Sequence, residues 1–457
     1  MITGFRSRVM FSIFLNRSLI RIPSRPNART ARVRNVRRLG RIGWIPFVVP
    51  LAALPAVAQE ALRNSLAGEA ASQFRTQQTQ SAGSEDYTFK EGDFRLLLTP
   101  KLGFDWNDNV NTSKDDPKDD FIVEPAVGIL ASYPVTQHNL LFFDVSIGYD
   151  WYLKQSDLST LDLNSNSGTG LSFDTVIKDF TINLHDWISY VQDAAQNATV
   201  ANTSSYGTFQ NTAGLSGTWD LNQVVCSLGY DHQTVLSTSG QFDELDRSAE
   251  LFSTKAGFQV HPEVIVGLES TAALTTYDKP IFNDNDAYTF GSYVEFHPGD
   301  YLKASLHGGY ATYQFQHTSE TIQTSTENTW YAGIEITHRP RKSINYTFSA
   351  GREVVLGEQA DLLQDWYARL NGNWKIIHNL EIDTGLFYEH GSQGFGNVTG
   401  NFTENFDWYG GTIDLRRQLS RRFSLGLNYR LTLRSSDNSG AQYAQNVVGL
   451  ELSYTPK

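Results

Sequence analysis

The residues of this chain that could carry chemistry are charged and aromatic side chains in segments where apolar and polar residues alternate. Glu381 and Asp383 stand two positions apart, and Arg430 and Arg434 stand four apart, so in extended strands each pair projects from one side. The sequence holds no G-x-S-x-G, H-E-x-x-H or G-x-x-x-x-G-K-[ST] motif and no Cys/His cluster. We therefore assign no catalytic, cofactor-binding or metal-binding residue and expect a protein that is not an enzyme.

The polar faces of these segments indicate contact with water. On the lipid side of a membrane strand a charge costs about 2–4 kcal/mol near the midplane, so these residues should face a wet lumen. Charges of both signs argue against a strongly anion-selective or cation-selective pore. The aromatic rings could guide a sugar chain or simply fill space. The lumen-facing candidates are Asp144, Asp150, Tyr152, Lys255, Glu269, Glu295, Tyr367, Arg369, Lys375, Glu381, Asp383, Arg430 and Arg434.

The elements that must position these residues are long β-strands. From about Phe94 to the C-terminus, apolar and polar residues alternate at a period of two, as in Phe423–Arg434. Many segments keep the alternation for ten or more residues, near the ~9–11 that cross a bilayer at a tilt. Aromatic residues gather toward strand ends, as in an interfacial girdle: Trp106, Trp151, Tyr190, Tyr230, Tyr277, Tyr388 and Tyr454.

Connections between the strands alternate in length. Eight short turns, among them Lys178-Asp179 and Asn222-Gln223, alternate with nine longer loops, among them 193–205 and 391–405. This arrangement requires eighteen strands with short turns on one rim, which is typical of an outer-membrane β-barrel. The prediction is an all-β, transmembrane, antiparallel up-and-down barrel of about 18 strands. Two acidic runs, 115–120 and 283–286, do not fit a twelve-residue calcium loop and are expected to be solvated surface turns.

The charge of the chain is divided unevenly. The formal net charge is −12, but residues 1–58 hold eleven Arg and no Asp or Glu, which leaves −23 for the remainder. An Arg-rich stretch, an apolar run and Ala56-Val57-Ala58 predict a cleaved signal peptide over 1–58. Residues 59–90 are predicted to be a flexible periplasmic segment and residues 91–457 the barrel. One Cys excludes a disulfide scaffold, and net acidity argues against nucleic acid as a partner.

The first strand resembles a known family. The run Leu98–Val110, with its proline-started strand and Asp108-Asn109-Val110 turn, resembles the opening of the Putative beta-barrel porin 2 family. The segments 138–141 and 149–152 are similar to that family's second hairpin. The resemblance implies an eighteen-stranded channel, with polysaccharide (exopolysaccharide or capsule) export as the leading function. The alternatives are a general diffusion porin, a structural or adhesive surface barrel, and an enzyme built into a barrel wall.

The expected partners follow from the same interpretation. Gly449, Leu452 and Tyr454 in the last strand look like the C-terminal signal read by the outer-membrane assembly machinery, although three residues follow the aromatic one. Outer-membrane lipid is the second expected partner. If the cargo is polysaccharide, a polysaccharide chain and a periplasmic polysaccharide export protein are also expected partners.

Overall fold

The computed structural model describes residues 87–136, 139–163, 169–316, 326–395 and 403–456. The predicted signal peptide over 1–58 and nearly all of the predicted flexible segment lie outside these residues. The strands are β1 (Phe89–Glu91), β2 (Phe94–Asn107), β3 (Asp120–Thr136), β4 (Asn139–Tyr152), β5 (Thr160–Leu163), β6 (Gly170–Ile177), β7 (Phe180–Val191), β8 (Thr208–Asp220), β9 (Val224–Ser237), β10 (Arg247–His261), β11 (Val264–Tyr277), β12 (Asn285–Gly299), β13 (Leu302–Phe315), β14 (Thr326–Arg341), β15 (Ile344–Leu356), β16 (Leu362–Ile377), β17 (Leu380–Phe395), β18 (Glu404–Gln418), β19 (Phe423–Ser436) and β20 (Tyr443–Tyr454).

The strands form one closed antiparallel wall. Each strand from β2 onward pairs with its neighbour in sequence, except that β5 and β6 do not pair with each other, and β20 returns to pair with β2, from Lys101↔Ser453 to Asn107↔Val447. Strands β5 and β6 both pair with β4 and together occupy one position in the wall. The barrel therefore has eighteen wall strands, as the alternation of turns predicted. Pairing of β20 with β2 removes the two free edge strands that an open sheet would present.

The short turns lie where the sequence predicted them. Lys178 and Asn222 occupy left-handed backbone conformations, with φ of 57° and 67°, in the turns before β7 and β9. Tight turns favour such conformations, and asparagine tolerates them well. One predicted long loop is shorter than expected, because β17 continues to Phe395 and takes up residues 391–395. Among the described residues, strand β1 pairs only with the start of β2, as a small hairpin next to the wall.

The two faces of the wall differ in chemistry. Large apolar side chains such as Leu228 and Phe290 are 66% and 61% exposed and alternate with buried or polar residues. This exposed face is the lipid-facing surface of a membrane barrel. Tyr277 was predicted to belong to the aromatic girdle, but it does not, because its side chain is buried and packs on Phe282 of the loop between β11 and β12. No helix in the described part of the chain is long and apolar enough to cross a membrane.

Candidate functional site

The connection between β7 and β8, residues 192–207, folds into the barrel and is called here the inner loop. On one side its Val200 and Tyr206 pack with Phe242 and Phe282, which belong to the loops after β9 and β11. On the other side its Ala195 and Ala198 pack against an aromatic group on distant strands. That group is Phe387, Phe406, Trp408 and Tyr443. Contacts with strands so far apart around the wall place the inner loop across the lumen.

The inner loop is anchored to β19 by two arginines. Arg430 forms an ion pair with Asp193, and the Arg434 Nε donates to the Ala198 carbonyl at 2.7 Å. Arg434 also pairs with Glu404 of β18 at 2.8 Å, with both side chains fully buried. Charge-assisted hydrogen bonds of this kind are stronger than neutral ones. The wall of β18 and β19 therefore holds the first half of the inner loop.

The second half of the inner loop is anchored to the connection between β15 and β16. Glu358 of that connection accepts hydrogen bonds from Asn197 Nδ2 and from the Tyr206 hydroxyl, the latter at 2.9 Å. Burial raises the pKa of Glu358 above its usual 4.5, and burial likewise raises the pKa of Tyr206. Burial disfavours the charged form of each group, and for Glu358 the hydrogen bonds from Tyr206 and Asn197 partly offset this effect.

A third anchor reaches the connection between β2 and β3. The Thr112 hydroxyl donates to the Thr203 carbonyl at 3.1 Å, and the Asn202 amide donates to the Thr112 carbonyl at 3.0 Å. Thr112 and Asn202 both have positive φ, at 46° and 56°. The inner loop is thus fixed at three points around the barrel.

The run 283–286, expected to be a solvated turn, is partly buried. Asn283 is 0% exposed, and its backbone amide and side chain donate to Asp361 at 3.2 and 2.9 Å. The expectation was wrong for Asn283 because the loop before β12 turns inward and meets the connection after β15. Burial raises the pKa of Asp361, against the effect of the two hydrogen bonds from Asn283.

Five carboxylates line adjoining strands of the inner face and are called here the acidic stripe. Each comes from one of five neighbouring strands, β20, β2, β3, β4 and β5: Glu451, Asp105, Glu124, Asp150 and Asp162. Gly103 stands between Glu451 and Glu124 in the register, and a side chain there would meet the Glu124 carboxylate at 2.9 Å. The absence of a side chain at Gly103 therefore makes room for the Glu124 carboxylate. Glu124 interacts electrostatically with the other four.

A second feature of the inner face is a recess of ≈ 150 Å³ lined by residues of strands β9 to β16. Small apolar residues and threonines line it together with charged side chains, among them Arg247, Lys255 and Glu353. Representative lining residues are Ala249, Leu251, Thr271, Ala273, Ala287 and Ala311. Lys255 and Glu269 form an ion pair at 3.6 Å beside it, and the Tyr331 hydroxyl donates to Glu269 at 2.9 Å.

The strand register places all thirteen candidate residues on the face opposite the exposed apolar one. Seven of them take part in ion pairs of Lys or Arg: Lys255–Glu269, Lys375–Glu381 at 4.0 Å, Arg369 with Glu389 at 2.8 Å, Arg430 with Asp193, and Arg434 with Glu404. Asp383 accepts from Asn373 at 2.6 Å. Glu295 lies 3.9 Å from His297. Asp150 belongs to the acidic stripe, Asp144 and Tyr152 lie on the same strand, and Tyr367 lines the recess.

The sequence did not indicate the residues of the inner loop. The residues that anchor the inner loop stand in polar connections without alternation, and the partners they meet across the barrel are more than 150 positions away. These residues are Asp193, Asn197 and Tyr206 of the loop and Glu358 of the connection after β15. A signal was present in the apolar content of the connection, since Ala194, Ala195, Ala198 and Val200 are unusual in a solvated loop. Among the described residues, no group of three or more His, Cys, Asp or Glu could hold a metal ion.

A closed eighteen-stranded antiparallel barrel with an apolar outer face, a polar inner face and a loop folded into its lumen defines a porin-like channel of the Gram-negative outer membrane. The chain belongs to the Putative beta-barrel porin 2 family, whose model matches residues 85–455. The family resemblance of the first strand is therefore confirmed over nearly the whole barrel.

Solved structures of similar size also match. OccK2 (OpdF) of Pseudomonas aeruginosa in complex with glucuronate is 10% identical, with 79% of this chain and 98% of that chain covered and a TM-score of 0.45. OccAB3 of Acinetobacter baumannii is 10% identical, with coverages of 80% and 99% and a TM-score of 0.45. A BenF-like porin from Pseudomonas fluorescens Pf-5 is 11% identical, with coverages of 80% and 99% and a TM-score of 0.45. No curated protein matches the chain.

Proposed function

We propose that this barrel is a constricted diffusion channel for small hydrophilic solutes. The observation that carries the proposal is the inner loop, which crosses the lumen and is held by Arg430, Arg434 and Glu358. An eighteen-stranded barrel is wide enough for an aqueous channel, and a loop fixed across it narrows the passage. Solutes would then be selected by size and by the charge of the inner face.

The thirteen inner-face candidates are proposed to line this passage. The inner cations Arg369, Arg430 and Arg434 are each paired with a carboxylate. The acidic stripe adds five carboxylates. Arg430 interacts electrostatically with one of them, Asp105, but Arg430 is itself paired with Asp193. This balance supports a moderate preference for cationic or neutral solutes.

The direct test is reconstitution of the barrel into liposomes and planar bilayers. Liposome swelling should be fast with monosaccharides and slow with tetrasaccharides, and planar bilayers should show stable single-channel currents. Equal swelling rates with both sugars would contradict a constriction. Absence of any conductance from a protein that shows a heat-modifiable gel shift would contradict a channel.

Polysaccharide export is the second candidate, and the inner aromatic residues favour it. Trp187 stacks on His185 at a centroid distance of 3.8 Å on β7, and Phe387 packs on Trp408 at 4.1 Å. Rings of this kind can stack on sugars, but a chain could pass only if the inner loop withdrew. Long acidic polysaccharide added to one side of a planar bilayer should then block the current reversibly, and neutral small sugars should not.

A further inference from the structure

The wall of the barrel is split between β14 and β15 near the rim of the long loops. The β14–β15 ladder runs from Arg341↔Ile344 only to Ala332↔Arg352. Strand β14 continues to Thr326 in register with β13, whereas β15 continues to Leu356 in register with β16. Beyond Arg352 the two strands are therefore no longer paired with each other, although the structure describes both of them there.

The end of β15 leaves the wall because it packs inside the barrel. Val354 and Leu362 are buried against Tyr313 and Phe315, which lie on the inner face of β13. The Tyr313 hydroxyl donates to the Val354 carbonyl at 2.5 Å. The tip of the β15–β16 hairpin thus lies behind the end of β14, and the split is a structural consequence of apolar packing.

Three side chains close the split from the membrane side. The Arg352 guanidinium lies 4.4 Å from the centre of the Trp330 ring, and Trp330 meets Trp366 edge to face at 5.6 Å. Trp330 and Trp366 are 47% and 49% exposed on the lipid-facing surface. Trp330 stands eleven positions from Arg341 at the opposite end of its strand, near the ~9–11 residues that span the bilayer. The split therefore opens at the outer boundary of the hydrocarbon layer.

The recess reaches the split from inside the barrel. Thr329, Trp330 and Arg352 line the recess together with the small apolar residues of β10 to β13. The hydrogen-bond acceptors of the Arg352 guanidinium are neutral, namely Thr329 Oγ1 at 3.0 Å, Gln364 Oε1 at 3.2 Å and the Trp330 carbonyl, while the Glu327 carboxylate acts on it electrostatically without a hydrogen bond among these contacts. A guanidinium held by neutral acceptors can still take a carboxylate in a bidentate hydrogen bond, which is stronger.

We propose that the split is a closed lateral portal through which an amphipathic anion of the fatty-acid type passes between the recess and the outer leaflet. The apolar chain would occupy the recess lined by Ala249, Leu251 and Ala311, and its carboxylate would bind Arg352. The recess shares Lys255, Glu269 and Tyr367 with the lining of the proposed aqueous passage, but the split leads through the wall to the membrane and not along the barrel. Its occupant is chosen by charge complementarity at the mouth and by the small apolar lining behind it.

The test uses the full barrel in detergent micelles and a brominated fatty acid, whose bromines quench nearby tryptophan fluorescence. Quenching should saturate, and Trp330→Phe should remove most of the saturable part. Arg352→Gln should weaken binding at least fivefold, whereas Arg352→Lys should retain more of it. Arg416→Gln is the matched control, since Arg416 lies on the inner face of β18, opposite Glu381. The brominated fatty alcohol of equal length should bind more weakly than the acid.

Two results would overturn the portal. One is quenching that rises without saturation and is the same in the Trp330→Phe variant, which indicates partition into the micelle alone. The other is saturable binding that Arg352→Gln leaves unchanged in a correctly folded barrel. Neither result bears on conductance, so a lateral portal can fail while the channel proposal stands. Conversely, a barrel that binds the acid but conducts no ions would contradict only the channel.

Discussion

Arg434 and Glu404 form an ion pair at 2.8 Å in which neither side chain is exposed. The pair does more than join β18 to β19. Arg434 also donates to the carbonyls of Ala198 and Ala441, the latter at 2.5 Å, while Ser436 Oγ donates to Glu404 at 2.5 Å. The pair therefore connects the wall, the inner loop and the last long loop in one buried network.

Replacing one partner of this pair should be more damaging than replacing both. Arg434→Met leaves the Glu404 carboxylate buried without its cation, a change that typically costs about 3–5 kcal/mol. Arg434→Met/Glu404→Met removes both charges, and its cost should be clearly smaller. The measurement is urea-induced unfolding of the barrel in lipid vesicles, followed by tryptophan fluorescence. A double variant less stable than the single one would contradict this account.

The wall of the barrel could be predicted from sequence because its determinants are local. Alternation at a period of two and turn residues such as Asn222 fix strands and short turns without reference to distant residues. The count of eighteen strands followed from these local features alone. The inner loop could not be predicted in this way, because Asp193 and Arg430 are 237 positions apart, and nothing in either segment identifies the other.

The charge pattern shows the same limit at the site itself. Alternation indicated that Arg369, Arg430 and Arg434 share a face with carboxylates, but it could not show which charges neutralise each other. Tyr277 illustrates the reverse error, because a strand-end aromatic residue reads as part of an interfacial girdle until its loop neighbour Phe282 is known. The type and spacing of a residue predicted which face of the wall it lies on, whereas its contacts with distant residues decided which partner it has.

Asp193 should control the width of the passage. Its carboxylate pairs with Arg430 and also accepts from the Ala195 amide at 2.9 Å, so it fixes the start of the inner loop. Asp193→Ala removes charge-assisted hydrogen bonds worth about 1.5–3 kcal/mol each. We expect a larger and noisier single-channel conductance in planar bilayers. Asp179→Ala, in the short turn before β7, is the control and should conduct like the unaltered protein. Equal conductance of both variants would mean that the ion pair does not hold the constriction.

The acidic stripe should set the ion preference. Glu124 and Glu451 flank Gly103 in adjoining strands, so Glu124→Gln/Glu451→Gln removes two adjacent carboxyl groups. The expected result is a fall in the permeability of K⁺ relative to Cl⁻, measured as the reversal potential in a salt gradient. Glu295→Gln also removes an inner-face carboxylate, but one outside the stripe, and should change the ratio less. An unchanged reversal potential in the double variant would show that the stripe lies off the path of the ions.

The contact between the inner loop and the connection after β15 should weaken as the pH rises. Burial raises the pKa of Glu358 above its usual 4.5, although the hydrogen bonds from Tyr206 and Asn197 oppose the shift. A carboxyl whose pKa is raised in the folded protein stabilises the fold fully below the usual pKa, and this contribution is lost as the pH rises through the raised pKa. Ionisation then places a charge in a buried contact, so the inner loop should loosen and the conductance should increase with pH. The Glu358→Gln variant has no titratable group at position 358, so its conductance should depend less on pH. The control variant Glu244→Gln, altered in the loop before β10, should keep the pH dependence of the unaltered protein. A Glu358→Gln channel whose conductance still changes with pH as in the unaltered protein would assign the effect to another group.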